Sequence, residues 1–175
     1  PTAAQQAMVQ ELGKRADRVR SGAVAPYEDN MLAITNDGRK LALDQRLADS
    51  SLPDDPGSKL NMVVENVFNT WESSKPTKGT QLIFCDLATP SAVGKDSGRF
   101  CSYDDIRDKL IAKGVPADQI AYIHDADTPA KKNALSSKMK SGAIRVLIGS
   151  TAKMGAGFNV QERLVALHHV DFPWR

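Results

Sequence analysis

From Lys78 onward, short apolar runs alternate with helical patterns, and this alternation constrains the fold more than any other feature of the chain. Turn-forming residues bound each apolar run, as is typical of buried strands. Strands separated by helices pair in parallel through crossover connections. The predicted strands are 80–85, 120–124, 144–148 and 164–170, and the predicted helices between them are 102–113 and 128–142. A long loop, either a functional lid or a dispensable insertion, is predicted at 87–100. We therefore predict an α/β fold with a parallel sheet and helices on both faces.

Local signals mark the ends of these helices. Ser102 is followed three residues later by Asp105, which is the spacing of a capping box. Thr128 followed by Pro129 predicts a second helix start, and Gly142 predicts its end.

The first third of the chain predicts helices of its own. Apolar residues recur at helical spacing across 3–20, and a loop or short extended piece is predicted at 27–37. A turn signal stands at Asn36-Asp37-Gly38, and a short helix is predicted over 39–47. A stretch rich in proline, aspartate and glycine at 50–57 precedes an amphipathic helix at 58–71 that carries Trp71 on its apolar face. We therefore predict a helical segment at 1–56 and an α/β domain at 57–175.

Composition limits the classes of function. The formal net charge of +2 is nearly neutral, so any polyanion site must be local. Cys85 and Cys101 are too few for a disulfide framework, which predicts reduced thiols and a cytoplasmic location. No apolar run approaches membrane-spanning length. A start at Pro1 and an end at Arg175, just after an aromatic and proline cluster, lead us to expect a piece of a larger protein.

The segment 144–161 holds the main candidate site. Its apolar strand leads into Gly149, two hydroxyl residues, Lys153 and two further glycines. Such a segment is either a phosphate-binding loop or an ordinary tight turn. Ligands of parallel sheets bind at the carboxyl ends of the strands. The polar residues expected at those ends are Asp86, His124, Asp125, Asp127, Ser150, Thr151 and Asp171.

Other chemistry is weighed on the same residues. The pair Gly155 and Gly157 lacks the third glycine of a dinucleotide fingerprint, which argues against a nicotinamide dehydrogenase. His124 with its neighbouring aspartates is either a general base beside a metal or a polar strand end. His168 and His169 alternate along a strand, so one should face the core and the other the surface.

The motifs together resemble the second RecA-like domain of superfamily-two helicases of the Swi/Snf type. Within that group the chain is most similar to helicase portions of bacterial, phage and mobile-element proteins that also carry a DNA methylase. The resemblance covers about residues 57–175. Its motifs, in order, are Gly57-Ser-Lys-Leu60, Gln81-Leu-Ile-Phe-Cys85, Tyr122-Ile-His-Asp125, a lysine-rich helix, Val146-Leu-Ile-Gly-Ser-Thr151, Gly155-Ala-Gly157, Asn159 and Asp171-Phe-Pro-Trp174.

The resemblance implies roles for individual residues. The residues implied to bind nucleic acid are Ser150, Thr151, Lys153, Thr128 and Asp86, the last at the end of a core strand that faces nucleic acid in the family. The residues implied to lie beside the ATP cleft are Gly155, Gly157 and Asn159. Lys153 stands where relatives frequently have arginine, so the charge is kept without the bidentate geometry. The implied partners are DNA, the first helicase lobe and a methylase domain.

The departures from that family are equally informative. ATP and Mg²⁺ are implied for the parent protein only, because the Walker loop and the acidic magnesium motif belong to the first lobe. The sixth motif would begin after Arg175. We therefore expect this chain alone not to hydrolyse ATP. The alternative hypothesis is a non-catalytic α/β interaction module whose N-terminal helices dock a partner protein.

Overall fold

The computed structural model describes residues 1–90, 100–155 and 158–171. The chain divides into two units, Pro1–Lys59 and Leu60–Arg175. The division comes just after the breaker-rich stretch at 50–57, where the sequence predicts a domain boundary.

The first unit begins with helix α1 (Ala3–Arg20), as predicted. The Thr2 hydroxyl accepts a hydrogen bond from the Gln5 N–H at 3.1 Å, and the Gln5 side chain accepts one from the Thr2 N–H at 2.9 Å. This capping box satisfies amides that the first turn leaves free. α1 packs against the next helix, α2 (Met31–Leu43).

Helix α2 corrects the prediction for this region. The loop or extended piece expected at 27–37 is wrong from Met31 onward, and the turn at Asn36-Asp37-Gly38 is wrong, because α2 begins at Met31 and runs through both. Arg15 of α1 binds the Asp37 carboxylate at 3.0 Å, and the α2 residues Ile34, Leu41 and Leu43 are buried. Tertiary contacts thus override the local turn preference. The predicted helix at 39–47 divides into the end of α2 and a 3₁₀ turn, Gln45–Leu47.

Helix α3 (Lys59–Ser73) confirms the predicted amphipathic helix and contributes the stripe that the pattern indicated. The buried residues of the stripe are Leu60, Val64, Val67 and Trp71. Trp71 is a core residue, as expected, and its indole N–H donates to the Gln119 side chain at 2.9 Å.

Arg145 is a buried cation that joins the end of α3 to the sheet. Its guanidinium donates hydrogen bonds to the Trp71 carbonyl at 2.7 Å, the Gly79 carbonyl at 3.0 Å and the Ser74 hydroxyl at 2.9 Å. Its guanidinium carbon also lies 5.1 Å from the centre of the Trp71 ring. Burial lowers the pKa of Arg145 from its usual value. Sequence analysis did not identify this residue.

The sheet has four strands, all parallel, in the order β2-β3-β1-β4. Their bounds are β1 (Thr80–Phe84), β2 (Ile120–Tyr122), β3 (Val146–Gly149) and β4 (Leu164–His169). The α/β class and the parallel pairing are therefore confirmed. β1 and β3 are central, and their burial on both faces explains their continuous apolar sequences.

Two local predictions in this unit need correction. The second strand ends at Tyr122 rather than at 124, because Ile123–Asp125 forms a 3₁₀ turn whose first residue is buried. Helix α4 (Ser102–Ala112) has Cys101 at the cap position and no side-chain cap bond, so the capping box predicted on Ser102 is wrong. The long loop predicted at 87–100 lies mostly outside the described residues.

Helix α5 (Pro129–Ser141) confirms both of its predicted ends. The Thr128 hydroxyl accepts a hydrogen bond from the Lys131 N–H at 3.2 Å, and Gly142 ends the helix with φ of 75°. α5 and the short helix α6 (Thr151–Met154) pack on one common apolar cluster. Its fully or nearly buried members are Leu82, Ile123, Ala126, Leu135, Met139, Ile144, Leu147, Met154 and Val160. In the described ranges, no helix combines the length and apolarity needed to cross a bilayer.

Candidate functional site

The carboxyl ends of three neighbouring strands meet at one edge of the sheet. Pairing continues one residue past the strand ends: the Cys85 N–H donates to the Gly149 carbonyl at 2.9 Å, and the Val170 N–H donates to the Phe84 carbonyl at 3.0 Å. The residues that follow are polar in each case. This arrangement brings Asp86, Ser150, Thr151 and Asp171 to the same edge.

Two carboxylates tie these strand ends together. The Asp171 carboxylate accepts a hydrogen bond from the Asp86 N–H at 2.8 Å. The Asp86 carboxylate in turn accepts one from the Thr151 N–H at 2.7 Å. Both distances are at the short end of the range for N–H to oxygen bonds, as expected for charged acceptors. The two hydrogen bonds link Asp171 after β4, Asp86 after β1 and Thr151 after β3, and we call this chain of bonds the relay.

Asp86 supplies the cap that α6 lacks locally. Ser150 occupies the cap position of α6, and its side chain makes no cap hydrogen bond. The carboxylate of Asp86, from a different strand, satisfies the first amide of the helix instead. The Asp86 carboxylate therefore stabilises the turn at 150–155, and its negative charge points towards the Thr151 N–H.

The chemistry on the outside of this turn is cationic and hydroxylic. Ser150 and Thr151 are half-buried, whereas Lys153 is exposed. Among the residues that the structure describes, Lys153 forms no ion pair with a carboxylate. The turn therefore presents hydroxyl donors and one free ammonium group, which suits an anionic ligand.

Packing accounts for the two described glycines of the segment. A Cβ atom on Gly149 would lie 2.5 Å from Ile123 Cγ2 and 2.6 Å from Met154 Sδ. One on Gly155 would lie 2.6 Å from the Thr151 carbonyl oxygen. Both positions are too tight for any side chain, whether or not a ligand approaches. Gly157, the third glycine, lies outside the described residues.

The end of β2 adds a second cationic group near the turn. Thr128 is exposed at the start of α5, and the Lys131 ammonium lies 2.8 Å from the Asp127 carboxylate. Lys131 holds the pKa of Asp127 below its usual range, and Lys153 contributes in the same direction. The short helix α6, which carries Lys153, also contacts the 3₁₀ turn Ile123–Asp125 that leads towards α5.

His124 lies on the inner side of this region. Its ring makes an edge contact with Tyr103, with 5.4 Å between centroids. Burial, followed by the Lys153 charge, lowers the pKa of His124. Its Nδ1 atom is buried and has no hydrogen-bond partner among the described residues. Across residues 1–90, 100–155 and 158–171, no group of three His, Cys, Asp or Glu side chains is placed to hold a metal.

Asn159, predicted beside an ATP cleft, is exposed. Its carbonyl accepts a hydrogen bond from the Ser136 hydroxyl of α5 at 3.0 Å, and its side chain accepts one from the Gln161 N–H at 3.4 Å. These contacts hold the segment after α6 against the side of α5. Among the residues with described positions, the Asn159 side-chain nitrogen has no hydrogen-bond partner.

The remaining candidates take structural positions. His168 is half-buried and bonds to the Gln81 side chain at 2.8 Å, whereas His169 is exposed and stacks on Phe84. One histidine therefore faces inward and one outward, as alternation predicted. Burial, with the nearby Asp171 charge, raises the pKa of the Cys85 thiol to about 12. Cys85 is therefore a fully buried core thiol of low reactivity.

Sequence reasoning placed Asp86, Thr151 and Asp171 at one edge but missed the bonds between them. No spacing rule relates residues so far apart in the chain, and no local motif marks Asp86 as a helix cap. Comparison with known proteins adds no assignment: no family model matches this chain, and no curated protein matches it significantly.

Proposed function

We propose that this chain is the C-terminal lobe of an ATP-dependent DNA helicase or translocase. In that role the turn at 150–155 contacts the sugar-phosphate backbone of DNA. One observation carries the proposal: the turn follows a central strand of an all-parallel sheet and stands at its carboxyl edge, with Lys153 exposed. A buried turn, or an antiparallel β3, would have removed its basis. The order of sequence motifs supplies the rest of the support.

The proposal divides the work among the residues of the edge. The hydroxyls of Ser150 and Thr151 donate to phosphate oxygens, and the Lys153 ammonium supplies charge. Thr128 offers a further hydroxyl at the start of α5. Asp86 acts as a positioning residue rather than a ligand, because a carboxylate repels phosphate and this one already holds the Thr151 amide.

ATP and Mg²⁺ enter the proposal only through the parent protein. Phosphoryl transfer needs a phosphate-binding lysine loop, a carboxylate-held metal and an arginine together. The described residues contain no group of three His, Cys, Asp or Glu side chains placed to hold a metal ion, so this edge does not fit a metal centre of its own. Gly155, Gly157 and Asn159 would border the ATP cleft. The bound nucleotide would supply the energy for moving one lobe against the other.

Backbone contacts carry no base information, so binding should be independent of sequence and sensitive to salt. The first experiment titrates duplex and single-stranded DNA against the chain and a Thr151→Ala, Lys153→Ala variant. We expect weaker binding by the variant and a salt slope smaller by about one. A matched control is Thr35→Ala, Lys14→Ala, which removes the same groups from exposed helix positions. Equal binding by the two variants would count against the proposed site.

The second experiment tests the motor itself. A longer protein that contains this chain between a Walker-bearing lobe and a following arginine-bearing helix should hydrolyse ATP, and DNA should stimulate the turnover. Absence of stimulation in that protein would reject the motor assignment, whatever the isolated chain binds.

A second candidate function rests on the first unit. α1 has no fully buried residue, and the large apolar side chains of Val9, Tyr27 and Leu32 are 59%, 88% and 69% exposed. A contiguous apolar surface marks a contact site for another protein, and these three side chains are the candidates for one in the first unit. If DNA is not bound, a non-catalytic interaction module is the function that remains. A single-species sedimentation profile together with salt-sensitive DNA binding would argue against it.

A further inference from the structure

His124 lies at the carboxyl edge of the sheet, beside the turn at 150–155. It belongs to the 3₁₀ turn Ile123–Asp125, which follows β2 directly and contacts both β3 and α6. Ile123, the first residue of that 3₁₀ turn, packs against Gly149, the last residue of β3. The segment that carries His124 and the turn at 150–155 are therefore direct neighbours.

Tyr103 holds the His124 ring at this edge. The Tyr103 side chain is fully buried, and its hydroxyl donates a hydrogen bond to the Cys85 carbonyl at 2.7 Å. The His124 ring makes its edge contact with the Tyr103 ring. These contacts connect the end of β2 to the end of β1, and β3 lies between those two strands. They therefore cross the end of β3, where Ser150 follows.

The two ring nitrogens of His124 have different surroundings. Nδ1 is buried and has no hydrogen-bond partner among the described residues. Nε2 also lacks a partner there, but it is not closed off from solvent. Buried N–H groups without a partner are rarer in proteins than buried acceptors without one. This difference favours the tautomer that carries its proton on Nε2, with the N–H directed to the surface.

The His124 ring is uncharged near neutral pH. Burial, followed by the Lys153 charge, lowers the pKa of His124, and the smaller effect of Asp125 opposes them. Burial raises the pKa of the adjoining Tyr103 phenol well above its usual range, so Tyr103 is uncharged too. Protonation of the ring would also place an N–H on the buried Nδ1. His124 is therefore a hydrogen-bond donor without a charge.

We propose that the Nε2–H of neutral His124 is a further donor to the anion bound at the turn at 150–155, beside the hydroxyls of that turn and the Lys153 ammonium. One ammonium group together with several neutral donors suits an anion with several oxygens, such as a phosphate. The ring donates a hydrogen bond and transfers no proton. The assignment of the phosphate to a DNA strand rests on the proposed function.

A neutral donor leaves a signature that a cation does not. Counterion release depends on the charges that meet phosphates, so a neutral donor raises affinity without steepening the salt dependence. His124→Phe keeps a ring against Tyr103 and removes the N–H. At about pH 7.5, where the ring is neutral, we expect this variant to bind single-stranded DNA about five- to tenfold more weakly, which is the loss of one hydrogen bond to a charged acceptor.

The salt slope of His124→Phe should equal that of the native chain, whereas Lys153→Ala should reduce the slope by about 0.7 on single strands. Circular dichroism verifies that each variant is folded. An unchanged affinity in His124→Phe, or a slope reduced as in Lys153→Ala, would overturn the inference.

Two further variants sharpen the comparison. His124→Gln offers an amide N–H near the place of Nε2, so its affinity should recover to within about threefold of the native value. The matched control is His169→Phe, which makes the same change at an exposed histidine on the outer strand β4. Its affinity should stay within about twofold of the native chain. Equal losses in His124→Phe and His169→Phe would refute a specific role for His124.

Nitrogen-15 NMR of the native chain reads the tautomer without any variant. The chain has three histidines, so few ring signals need assignment. We expect the His124 proton on Nε2 in the free chain, and a shift of the Nε2 signal on titration with single-stranded DNA. A proton found on Nδ1 would refute the inference even if Lys153 binds DNA.

Inorganic phosphate separates this inference from the proposed function. If phosphate shifts the Nε2 signal and DNA does not, the His124 donor stands and the DNA role is refuted. If the Thr151→Ala, Lys153→Ala variant weakens DNA binding and His124→Phe does not, the turn stands and the His124 donor is refuted. If neither phosphate nor DNA shifts the Nε2 signal, the His124 donor is likewise refuted.

Discussion

Replacing Asp86 with alanine should loosen the turn at 150–155 without disturbing the sheet itself. The change removes the carboxylate that accepts a hydrogen bond from the Thr151 N–H, with a donor–acceptor distance of 2.7 Å. Loss of a helix cap destabilises by about 0.5–2 kcal/mol. Because Asp86 is half-buried and α6 has only four residues, we expect about 1 kcal/mol, a fall of about 2–4 °C in the thermal midpoint. Asp86→Asn should lose less, since the amide oxygen still accepts a bond without the charge.

Replacing Asp171 tests the same hydrogen bonds from the other end. Its carboxylate is buried and accepts the Asp86 N–H, so Asp171→Ala should leave that amide unsatisfied and destabilise by about 1–3 kcal/mol. The two changes act on one relay, so the double variant should be non-additive by about 0.5 kcal/mol or more.

Urea unfolding followed by circular dichroism measures these free energies, and hydrogen exchange of the Thr151 amide reports the bond directly. Asp118→Ala is the control, because this exposed aspartate lies in a 3₁₀ turn away from the edge. We expect the Thr151 amide to lose protection from exchange in Asp86→Ala but not in Asp118→Ala. Equal unfolding midpoints for Asp86→Ala and Asp118→Ala, with unchanged exchange at Thr151, would refute the relay.

Three further changes test the packing of the second unit. Arg145→Ala should destabilise by about 2–4 kcal/mol, because three hydrogen-bond acceptors lose their donor, whereas the exposed Arg163→Ala should cost under about 1 kcal/mol; urea unfolding decides. Gly149→Ala should cost about 1–3 kcal/mol by overpacking, and an unchanged thermal midpoint would contradict the contacts found there. Burial lowers the pKa of His168, so the unfolded chain takes up the proton more readily. The contribution of neutral His168 to the free energy of unfolding should be fully present above pH about 6.5 and should be lost as the pH falls below it. The free energy of unfolding should therefore fall less with decreasing pH in His168→Gln than in His169→Gln.

Much of the fold follows from local patterns. The Thr128-Pro129 start and the Gly142 end of α5 were predictable because capping and the left-handed glycine conformation involve only neighbouring residues. The central strands were predictable because burial on both faces requires continuous apolar runs. The parallel pairing followed from the alternation of strands with helices.

Predictions were wrong where distant contacts decided the local structure. The Asn36-Asp37-Gly38 segment has the composition of a turn, yet it lies inside α2. Arg15 of α1 binds the Asp37 carboxylate, and Ile34, Leu41 and Leu43 of α2 are buried. A turn preference worth a fraction of a kcal/mol does not survive such contacts.

The sequence by itself determined which chemical groups reach the carboxyl edge of the sheet, because strand order along the chain and parallel pairing place hydroxyls, Lys153 and aspartates there. Only the tertiary structure decided what those groups do. Asp86 caps a helix from another strand, and Asp171 holds Asp86, through bonds between residues 65 and 85 positions apart. Such bonds depend on the distance between strand ends in space, which no local spacing of residues encodes.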